Sequence, residues 1–346
     1  KSSVIELQNN GHDYRIGVID VPGFYIDFKA YRKGDPDYRS TTRDVRRLLG
    51  ELSEQKVDGV VLDLRDNGGG SLQEATELTG LFIDRGPTVL VRDSQGQVQQ
   101  LDDPEAGIAY TGPMAVMVNR LSASASEIFA GAMQDYGRAL VIGESTFGKG
   151  TVQSIQPLNH GELKLTLAKF YRVSGQSTQH RGVVPDIRYP SLLDSEEIGE
   201  SALPNAMPWD TIPPARYQTS SHLQPFIAQL QQQHEARAAK DPDFIYTLAR
   251  IGLDNQIKAR ETIPLNESKR KQQQEDYENR LLELENQRLT ARGEEPLTTL
   301  EESDPLLAEV HTEDEDSDPK DDAFLLETSH ILVDLLQLEH QVARAN

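Results

Sequence analysis

The feature that most constrains the fold is an apolar segment that runs directly into a glycine turn. The segment spans Val57–Leu64, within VDGVVLDLRDNGGG, and it is short, rich in β-branched residues and followed by glycines. This pattern is typical of a buried β-strand. Strands and helices alternate on both sides of it, which predicts an α/β fold with a largely parallel or mixed sheet. The predicted helices are 42–52, 72–83 and 125–136, and the predicted strands include 88–92, 114–119 and 139–143.

The chain divides into three predicted regions. Residues 1–190 carry the alternating strands and helices, with β-hairpins beside them. Residues 191–220 contain four prolines and are predicted to form an extended connector. Gln, Glu, Arg and Leu dominate residues 221–346, which predicts an α-helical C-terminal region. Within that region, the acidic run at 301–322 is predicted to be a loop.

Composition excludes several classes of function. The formal net charge is −21 and the isoelectric point is about 4.8, whereas nucleic-acid-binding proteins present a basic surface. The absence of cysteine excludes disulfides, cysteine nucleophiles and thiolate-bound metals. No apolar run approaches the ~20 residues that a membrane-spanning helix needs. We therefore expect no nucleic-acid partner and no transmembrane segment.

A lysine between two glycines supports two different interpretations. Lys149 lies in VIGESTFGKGT, residues 141–151, which resembles the phosphate-binding pattern G-x-x-x-x-G-K-[ST] except that Gly150 replaces the hydroxyl residue. A phosphate-binding loop is followed by a helix whose N-terminal amides hold the phosphates. Residues 151–157 and 162–167 instead predict the two strands of a hairpin. A nucleotide-binding protein that uses Lys149 stays open as an alternative.

Three serines crowd the start of the helix predicted at 125–136, and they too support two interpretations. Ser124 and Glu127 have the spacing of a capping box, in which the serine accepts a hydrogen bond from a helix amide. If capping is its only role, the chain is a non-catalytic helical scaffold on an α/β core. A serine at a strand-to-helix junction also presents its hydroxyl at the edge of a sheet where ligands bind. The three candidates are Ser122, Ser124 and Ser126.

Two further loops are predicted to lie at the same edge of the sheet. Lys149 opens a strand after a glycine turn, and the glycines beside it allow close backbone approach. The glycines of DNGGGS, residues 66–71, can direct a backbone N–H toward an anion. A hydroxyl, an amine and converging amides together predict a site for acyl transfer.

These residues resemble the C-terminal processing peptidases, and most closely the tail-specific proteases of the bacterial periplasm. The resemblance rests on LDLRDNGGG, SASASEIFAGAMQDYGRALVIGE and TFGKGTVQ, and it continues through FYRVSGQSTQHRGVVPDI at 170–187. The acidic helical C-terminal region is similar to that of the same subgroup. The resemblance implies a serine endopeptidase with a mixed-sheet core, which forms an acyl-enzyme and uses no cofactor, ATP or metal.

The resemblance also implies roles for individual residues. Ser124 matches the nucleophile, Lys149 matches the general base, and Gln153 matches the residue that orients the lysine. Asp135 matches an acidic position sometimes grouped with the active residues, but a regular helix would place it ~16 Å from Ser124. We therefore expect Asp135 to support a neighbouring loop. The oxyanion region matches three positions, which are Gly69, Gly70 and Ala125.

The chemistry of a lysine base sets two conditions on its surroundings. A lysine accepts a proton only when it is neutral, so its pKa of ~10.4 must be lowered by burial, and Phe147 is a candidate wall of that pocket. If Lys149 and Gln153 belong to one regular strand, their side chains point to the same face, because they are four residues apart. The Gln153 amide oxygen is then expected to accept a hydrogen bond from the lysine.

The resemblance extends to substrates and partners. It implies periplasmic protein substrates with apolar, unstructured C-termini, and a tetratricopeptide-repeat lipoprotein as an adaptor. The family carries a PDZ domain ahead of the peptidase core, and we expect this chain to be the C-terminal portion of such a protein. Without that domain, we expect either Lys149 Nζ to lie beyond hydrogen-bond reach of Ser124 Oγ or the Gly69–Gly70 turn to be rotated away. A preassembled core is the competing expectation.

Overall fold

The structure is a computed structural model that describes residues 1–103, 105–220, 222–300 and 319–345. Its contacts divide the chain into two compact units. The first unit consists of Lys1–Tyr189, Leu193–Gln231 and Phe324–Asn346, and the second consists of Pro190–Leu192 and Gln232–Ala323.

The first unit is built on a six-stranded mixed sheet. In chain order, the strands described are β1 (Ser2–Asn9), β2 (His12–Asp20), β3 (Gly59–Asp63), β4 (Pro87–Asp93), β5 (Val98–Asp102), β6 (Met114–Val118), β7 (Leu140–Gly143), β8 (Thr151–Pro157), β9 (Glu162–Tyr171) and β10 (Ile187–Arg188). The sheet has the order β1-β2-β3-β6-β7-β10, in which β1 is antiparallel to β2 and the other neighbours are parallel. The predicted α/β fold with a mixed sheet is confirmed.

Helices cover both faces of this sheet. The helices described are α1 (Phe28–Arg32), α2 (Thr41–Glu54), α3 (Leu72–Gly80), α4 (Ala125–Asp135), α5 (Gln224–Ala238), α6 (Pro242–Lys258), α7 (Glu267–Arg292) and α8 (Ala323–Ala345). Buried apolar side chains of α2, α3 and α4 form one core with alternate residues of β3 and β6, among them Leu62, Val116 and Phe129. The alternation follows from the two-residue period of a strand, whose side chains point to opposite faces.

The last helix packs against the opposite face of the same sheet. A Cβ atom on Gly59 would lie 2.8 Å from Leu332 Cδ2, so glycine makes room for the helix there. Thr328 contributes a contact to Met117 and a 2.9 Å hydrogen bond with the Tyr189 hydroxyl. Although α8 falls within the range predicted as a separate helical region, 221–346, it groups with the first unit. The three domain ranges remain a prediction.

A second, four-stranded sheet carries the hairpin predicted after Lys149. Its order is β5-β4-β9-β8, and all neighbouring pairs are antiparallel. The register shifts between Val152 and Gln153, so the strand pairing is irregular close to the lysine. Because Thr151 begins β8, the chain enters a strand immediately after Lys149 and Gly150, as the sequence predicts.

Three loops meet at the carboxyl edge of the main sheet. The strands β3, β6 and β7 are parallel neighbours, so the segments that follow them leave the sheet side by side. These segments are 64–71, 119–124 and 144–150. They carry the glycine turn, the serines and the lysine, and the common edge predicted for the three loops is therefore confirmed.

The second unit is helical. Its helices α6 and α7 are joined by a hydrogen bond from the Tyr277 hydroxyl to Asp254 and by an ion pair between Arg288 and Asp243. Most of the acidic loop predicted at 301–322 lies outside the described residues. No described helix is long and apolar enough to span a membrane.

Candidate active site

Ser124 occupies a strained position directly before α4. Its backbone has φ +58° and ψ −111°, a combination that non-glycine residues rarely adopt. Such strain persists only where the surrounding structure fixes it, and it concentrates at functional sites. The side chain is half-buried, and it lies at the N-terminus of a helix whose first amides point toward it. The geometry suits a hydroxyl that must be presented to a ligand.

The other two serines are occupied by structural hydrogen bonds. Ser122 is fully buried, and its Oγ donates to the carbonyl oxygen of Leu64 at 2.7 Å. Ser126 is also fully buried, and its Oγ donates to the carbonyl oxygen of Asn67 at 2.8 Å. Both bonds join the serine segment to the glycine turn that follows β3. Of the three, Ser124 is the residue whose hydroxyl remains available for chemistry.

The capping interpretation of Ser124 is met only in part. The Glu127 carboxylate accepts a 2.8 Å hydrogen bond from the Ser124 amide, which is one half of a capping box. The other half of the box is also in place, because the Ser124 side chain faces the Glu127 amide, although this contact falls short of hydrogen-bond geometry. Capping and catalysis are therefore compatible at Ser124, and a serine that serves only as a cap stays an alternative.

The glycine turn packs directly on the nucleophile candidate. A Cβ atom on Gly69 would lie 2.8 Å from Ser124 Cβ and 2.9 Å from the Ala125 nitrogen, so no side chain fits there. The backbone of Gly69 has φ +100° and that of Gly70 has φ +147°, which glycine alone adopts without strain. The turn is thus held against Ser124 by close backbone contact.

Two of the three predicted oxyanion amides are unoccupied. The Gly69 N–H donates to the side-chain oxygen of Asn67 at 2.9 Å, so in this conformation it is not free to bind an anion. Among the described residues, the amides of Gly70 and Ala125 have no such partner. Gly69 therefore provides close approach, whereas Gly70 and Ala125 are the candidate donors.

Lys149 lies in a half-buried loop that joins β7 to β8. Burial lowers the pKa of its ammonium from the ordinary value, and the positive charge of Lys164 lowers it further. Within the described part of the chain, its Nζ makes no hydrogen bond or ion pair, and it is not hydrogen-bonded to Ser124 Oγ. The separation of these two atoms beyond hydrogen-bond reach stays a prediction. Because a strand follows Lys149, the helix that a phosphate-binding loop requires is missing.

A carboxyl that sequence reasoning assigned only to capping connects the two catalytic candidates. Glu127 is fully buried, and its Oε2 accepts hydrogen bonds from the amides of both Ser124 (2.8 Å) and Lys149 (2.9 Å). Its Oε1 accepts from the Thr146 hydroxyl at 2.6 Å and from the Gly148 amide at 2.7 Å. Burial raises the pKa of this carboxyl to about 7, against the effect of those donors. Glu127 fixes the distance between the serine and lysine loops.

We expect Glu127→Gln to reduce kcat by about 10²-fold, the cost of misplacing catalytic groups by ~1 Å. The amide NH₂ would face either the backbone amides of Ser124 and Lys149 or the Thr146 hydroxyl and the Gly148 amide. Folding raises the pKa of the wild-type Glu127 carboxyl from 4.5 to about 7. The free energy of unfolding therefore falls as the pH increases between these two values, because the folded protein binds this proton more tightly than the unfolded chain does. Glu127→Gln should lose this pH-dependent part of the unfolding free energy, and unfolding measured at several pH values tests it.

Glu74→Gln is the matched control for that variant. Glu74 is also fully buried with a raised pKa, but its carboxylate accepts from Thr42 in α2 rather than from the catalytic loops. We expect it to change stability while leaving kcat near the wild-type value. Equal losses of kcat in both variants would show that Glu127 has no special role in alignment.

The remaining predicted residues lie in different surroundings. Gln153 is exposed on β8, and its side chain donates to Thr166 Oγ1 at 3.5 Å; the described contacts include no hydrogen bond between it and Lys149. Asp135 ends α4 and forms a buried ion pair with Arg172, while Ser174 Oγ also donates to it at 3.0 Å. Asp135 thus holds the segment that follows β9, and the role of Gln153 remains a prediction.

Two family profiles match the chain. One, described as Peptidase family S41, matches residues 15–189. The other, described as the C-terminal domain of tail specific protease, matches residues 193–337. Together they cover both the sheet that carries the three loops and most of the helical region.

Individual relatives agree with these profiles. The chain is 40% identical over 299 residues to the tail-specific protease of Haemophilus influenzae, an alignment that covers 83% of this chain and 41% of that protein. It is 38% identical over 159 residues to the chloroplastic C-terminal processing peptidase of Tetradesmus obliquus, covering 45% of this chain and 34% of that one. The chain thus spans less than half the length of these curated relatives.

A solved structure of a photosystem II D1 C-terminal processing protease is also similar. It has 31% sequence identity and a TM-score of 0.45, and the match covers 56% of this chain and 48% of that one.

Proposed function

Because the chain belongs to peptidase family S41, we propose that it is the catalytic portion of a serine endopeptidase with Ser124 as nucleophile and Lys149 as general base. The observation that carries this proposal is the strained, accessible Ser124, tied through Glu127 to the loop of a lysine whose pKa is lowered. A metal is not needed for this chemistry, because the lysine supplies the base and backbone amides supply the oxyanion site.

In the proposed reaction, Ser124 Oγ attacks the carbonyl carbon of a peptide bond while neutral Lys149 accepts the hydroxyl proton. The carbonyl oxygen becomes an anion, for which the amides of Gly70 and Ala125 are the proposed hydrogen-bond donors. The C–N bond then breaks, the lysine returns its proton to the leaving amine, and an ester on Ser124 remains. Water attacks that ester with Lys149 again as base, which releases the acid and restores the serine.

The dyad must close before this reaction can begin. Ser124 Oγ and Lys149 Nζ are not hydrogen-bonded to each other, although catalytic contacts in free enzymes are often long. The backbone amides of both residues share the Glu127 Oε2 atom, so the loops are already adjacent. We propose that substrate binding completes the alignment by side-chain movement, with no rebuilding of the loops.

As substrates of the whole protein, we propose periplasmic proteins with apolar, unstructured C-termini, delivered with a tetratricopeptide-repeat lipoprotein adaptor. The names of the relatives support C-terminal processing. The hairpin that begins after Lys149 supports apolar substrates, because it leaves a set of large aliphatic side chains exposed, which are Ile155, Leu158, Leu163, Leu165 and Leu167. Co-purification of such a lipoprotein with the whole protein tests the adaptor.

Digestion of one unfolded model protein with and without an apolar C-terminal tail tests the substrate proposal. With the whole protein, we expect the tail to raise kcat/KM by about tenfold or more, since burying one large apolar side chain contributes ~1.5–3 kcal/mol and tenfold corresponds to 1.4 kcal/mol. A tail of equal length rich in Asp is the control. Equal rates for all three substrates would contradict the tail preference without touching the proposed chemistry.

A further inference from the structure

We infer that residues 195–212, here called the strap, are part of the catalytic machinery because they position the loop that carries Lys149. The inference rests on the proposed role of Lys149. The strap lies within the range matched by the C-terminal domain profile, 193–337, and not within the peptidase profile. It belongs to the same compact unit as the sheet. Residues 146–150 are called the lysine loop below.

The strap holds the lysine loop at two points through Glu200. The Glu200 amide donates to the carbonyl oxygen of Phe147 at 3.0 Å. Its side chain accepts a 3.1 Å hydrogen bond from Gln179, whose own oxygen accepts from the Gly150 amide at 2.8 Å. Glu200 and Gln179 are both buried, so these bonds are shielded from water. Lys149 therefore lies between Phe147 and Gly150, which are both held by hydrogen bonds that lead to Glu200.

A buried arginine joins the strap to the start of the same loop. Arg120 is only 5% exposed, and it donates to the carbonyl oxygens of Thr146 (2.6 Å), Ile198 (2.6 Å) and Ser195 (3.3 Å). Three carbonyls from two segments converge on one guanidinium, whose planar donors hold them in a fixed arrangement. Gly199 is required beside it, because an added Cβ atom would lie 2.8 Å from Arg120 Cζ.

The far end of the strap is anchored to the second sheet. Asp210 forms ion pairs with Lys169 of β9 and with Arg92 of β4. Trp209 donates from its indole nitrogen to the carbonyl oxygen of Ser177 at 2.9 Å, and the guanidinium of Arg181 lies 3.6 Å from the ring centroid. A segment without regular structure over most of its length is thus fixed at both ends.

The contacts of the strap give the predicted connector a role at the proposed active site. Glu127 of α4 accepts hydrogen bonds from the lysine loop, and the strap holds the same loop through Glu200 directly and through Arg120, which bridges the two segments. Loss of either support would let Lys149 shift relative to Ser124. Arg120 and Glu200 are positioning residues: among the described residues, neither hydrogen-bonds to the serine hydroxyl or to Lys149 Nζ, and Glu200 acts on the lysine only through its charge, which raises the pKa of Lys149 against the effect of burial.

Arg120→Met in the whole protein tests the inference, with Arg138→Met as the matched control. Arg138 is another arginine whose pKa is lowered by burial, and it also donates to carbonyl oxygens, those of Phe82 and Tyr110, away from the lysine loop. We expect Arg120→Met to lower kcat by about 10²-fold with little change in KM. Arg120→Lys should recover part of that loss. Arg138→Met should keep kcat near the wild-type value.

The pH profile separates positioning from a general loss of structure. If the lysine loop moves, the acid limb of kcat should shift for Arg120→Met and stay in place for Arg138→Met. If Arg120→Met does not fold, Gly199→Ala makes the same test from the strap side. A folded Arg120→Met or Gly199→Ala with wild-type kcat and an unshifted limb overturns the inference. Activity retained by Ser124→Ala would instead overturn the proposed function itself.

Discussion

Replacing Ser124 with alanine is expected to abolish peptide hydrolysis, with a loss of kcat on the order of 10⁶-fold, as for other serine nucleophiles that act together with a base. The fold should persist. Ser124 Oγ makes no cap hydrogen bond of good geometry, so the change removes little from the helix, and losing even a complete cap costs ~0.5–2 kcal/mol. The backbone strain at φ +58° is already present in the wild type.

The neighbouring serines provide the controls. Ser122→Ala and Ser126→Ala each leave a buried carbonyl oxygen, that of Leu64 or Asn67, without its hydroxyl donor. We expect each to lose ~1–3 kcal/mol of stability and to keep most of its activity. Thermal unfolding and hydrolysis of an unfolded protein should therefore rank the three variants in opposite orders. Activity in Ser124→Ala together with its loss in Ser122→Ala or Ser126→Ala would overturn the assignment.

The sequence was sufficient for the parts of the site that local patterns encode. The apolar run at Val57–Leu64 and the alternation around it predicted the mixed sheet, and the order of elements placed three loops at one edge. A strand rather than a helix after Lys149 was also predictable, from β-branched residues and the turn that follows them. These features depend on residues that are close together in the chain.

Features that depend on distant residues were not predictable. The spacing of Ser124 and Glu127 indicated a cap, yet the other donors to Glu127 come from Thr146, Gly148 and Lys149, about twenty residues away. No periodicity reports such hydrogen bonds, because they are set by tertiary packing.

The same limit applies to Gln153 and to the strap. Regular strand geometry predicted a contact between Gln153 and Lys149, but β8 begins only at Thr151 and its pairing shifts beside Gln153. The prolines of 191–220 predicted an irregular connector, and they carry no signal that it would hold the lysine loop. Irregular segments take their conformation from what they contact, so their roles appear only in the fold.

Replacing Lys149 is expected to have the second large effect. Lys149→Ala removes the base, and Lys149→Arg keeps a positive charge that cannot be lost in the accessible pH range. We expect both to reduce kcat by about 10²–10⁴-fold or more, the range that general base catalysis supplies. A non-catalytic scaffold predicts no change in either variant. Nucleotide binding with magnesium at micromolar Kd, abolished by Lys149→Ala, would instead restore the phosphate-loop interpretation.

The pH dependence identifies Lys149 as the base more directly than its removal does. Only the neutral amine accepts the serine proton, so activity should rise with pH along a limb that follows Lys149. Burial and the charge of Lys164 lower the pKa of this lysine, which places the limb below the ordinary value of ~10.4. Lys164→Gln removes one of those causes, so the pKa of Lys149 should rise and the limb should move to higher pH. Activity near neutral pH should then fall in Lys164→Gln and recover when the pH is raised.

Two outcomes would contradict this account of the pH dependence. An acid limb that stays in place in Lys164→Gln would mean that Lys164 does not act on the titrating group. An acid limb that persists in the residual activity of Lys149→Arg would mean that the base is another residue.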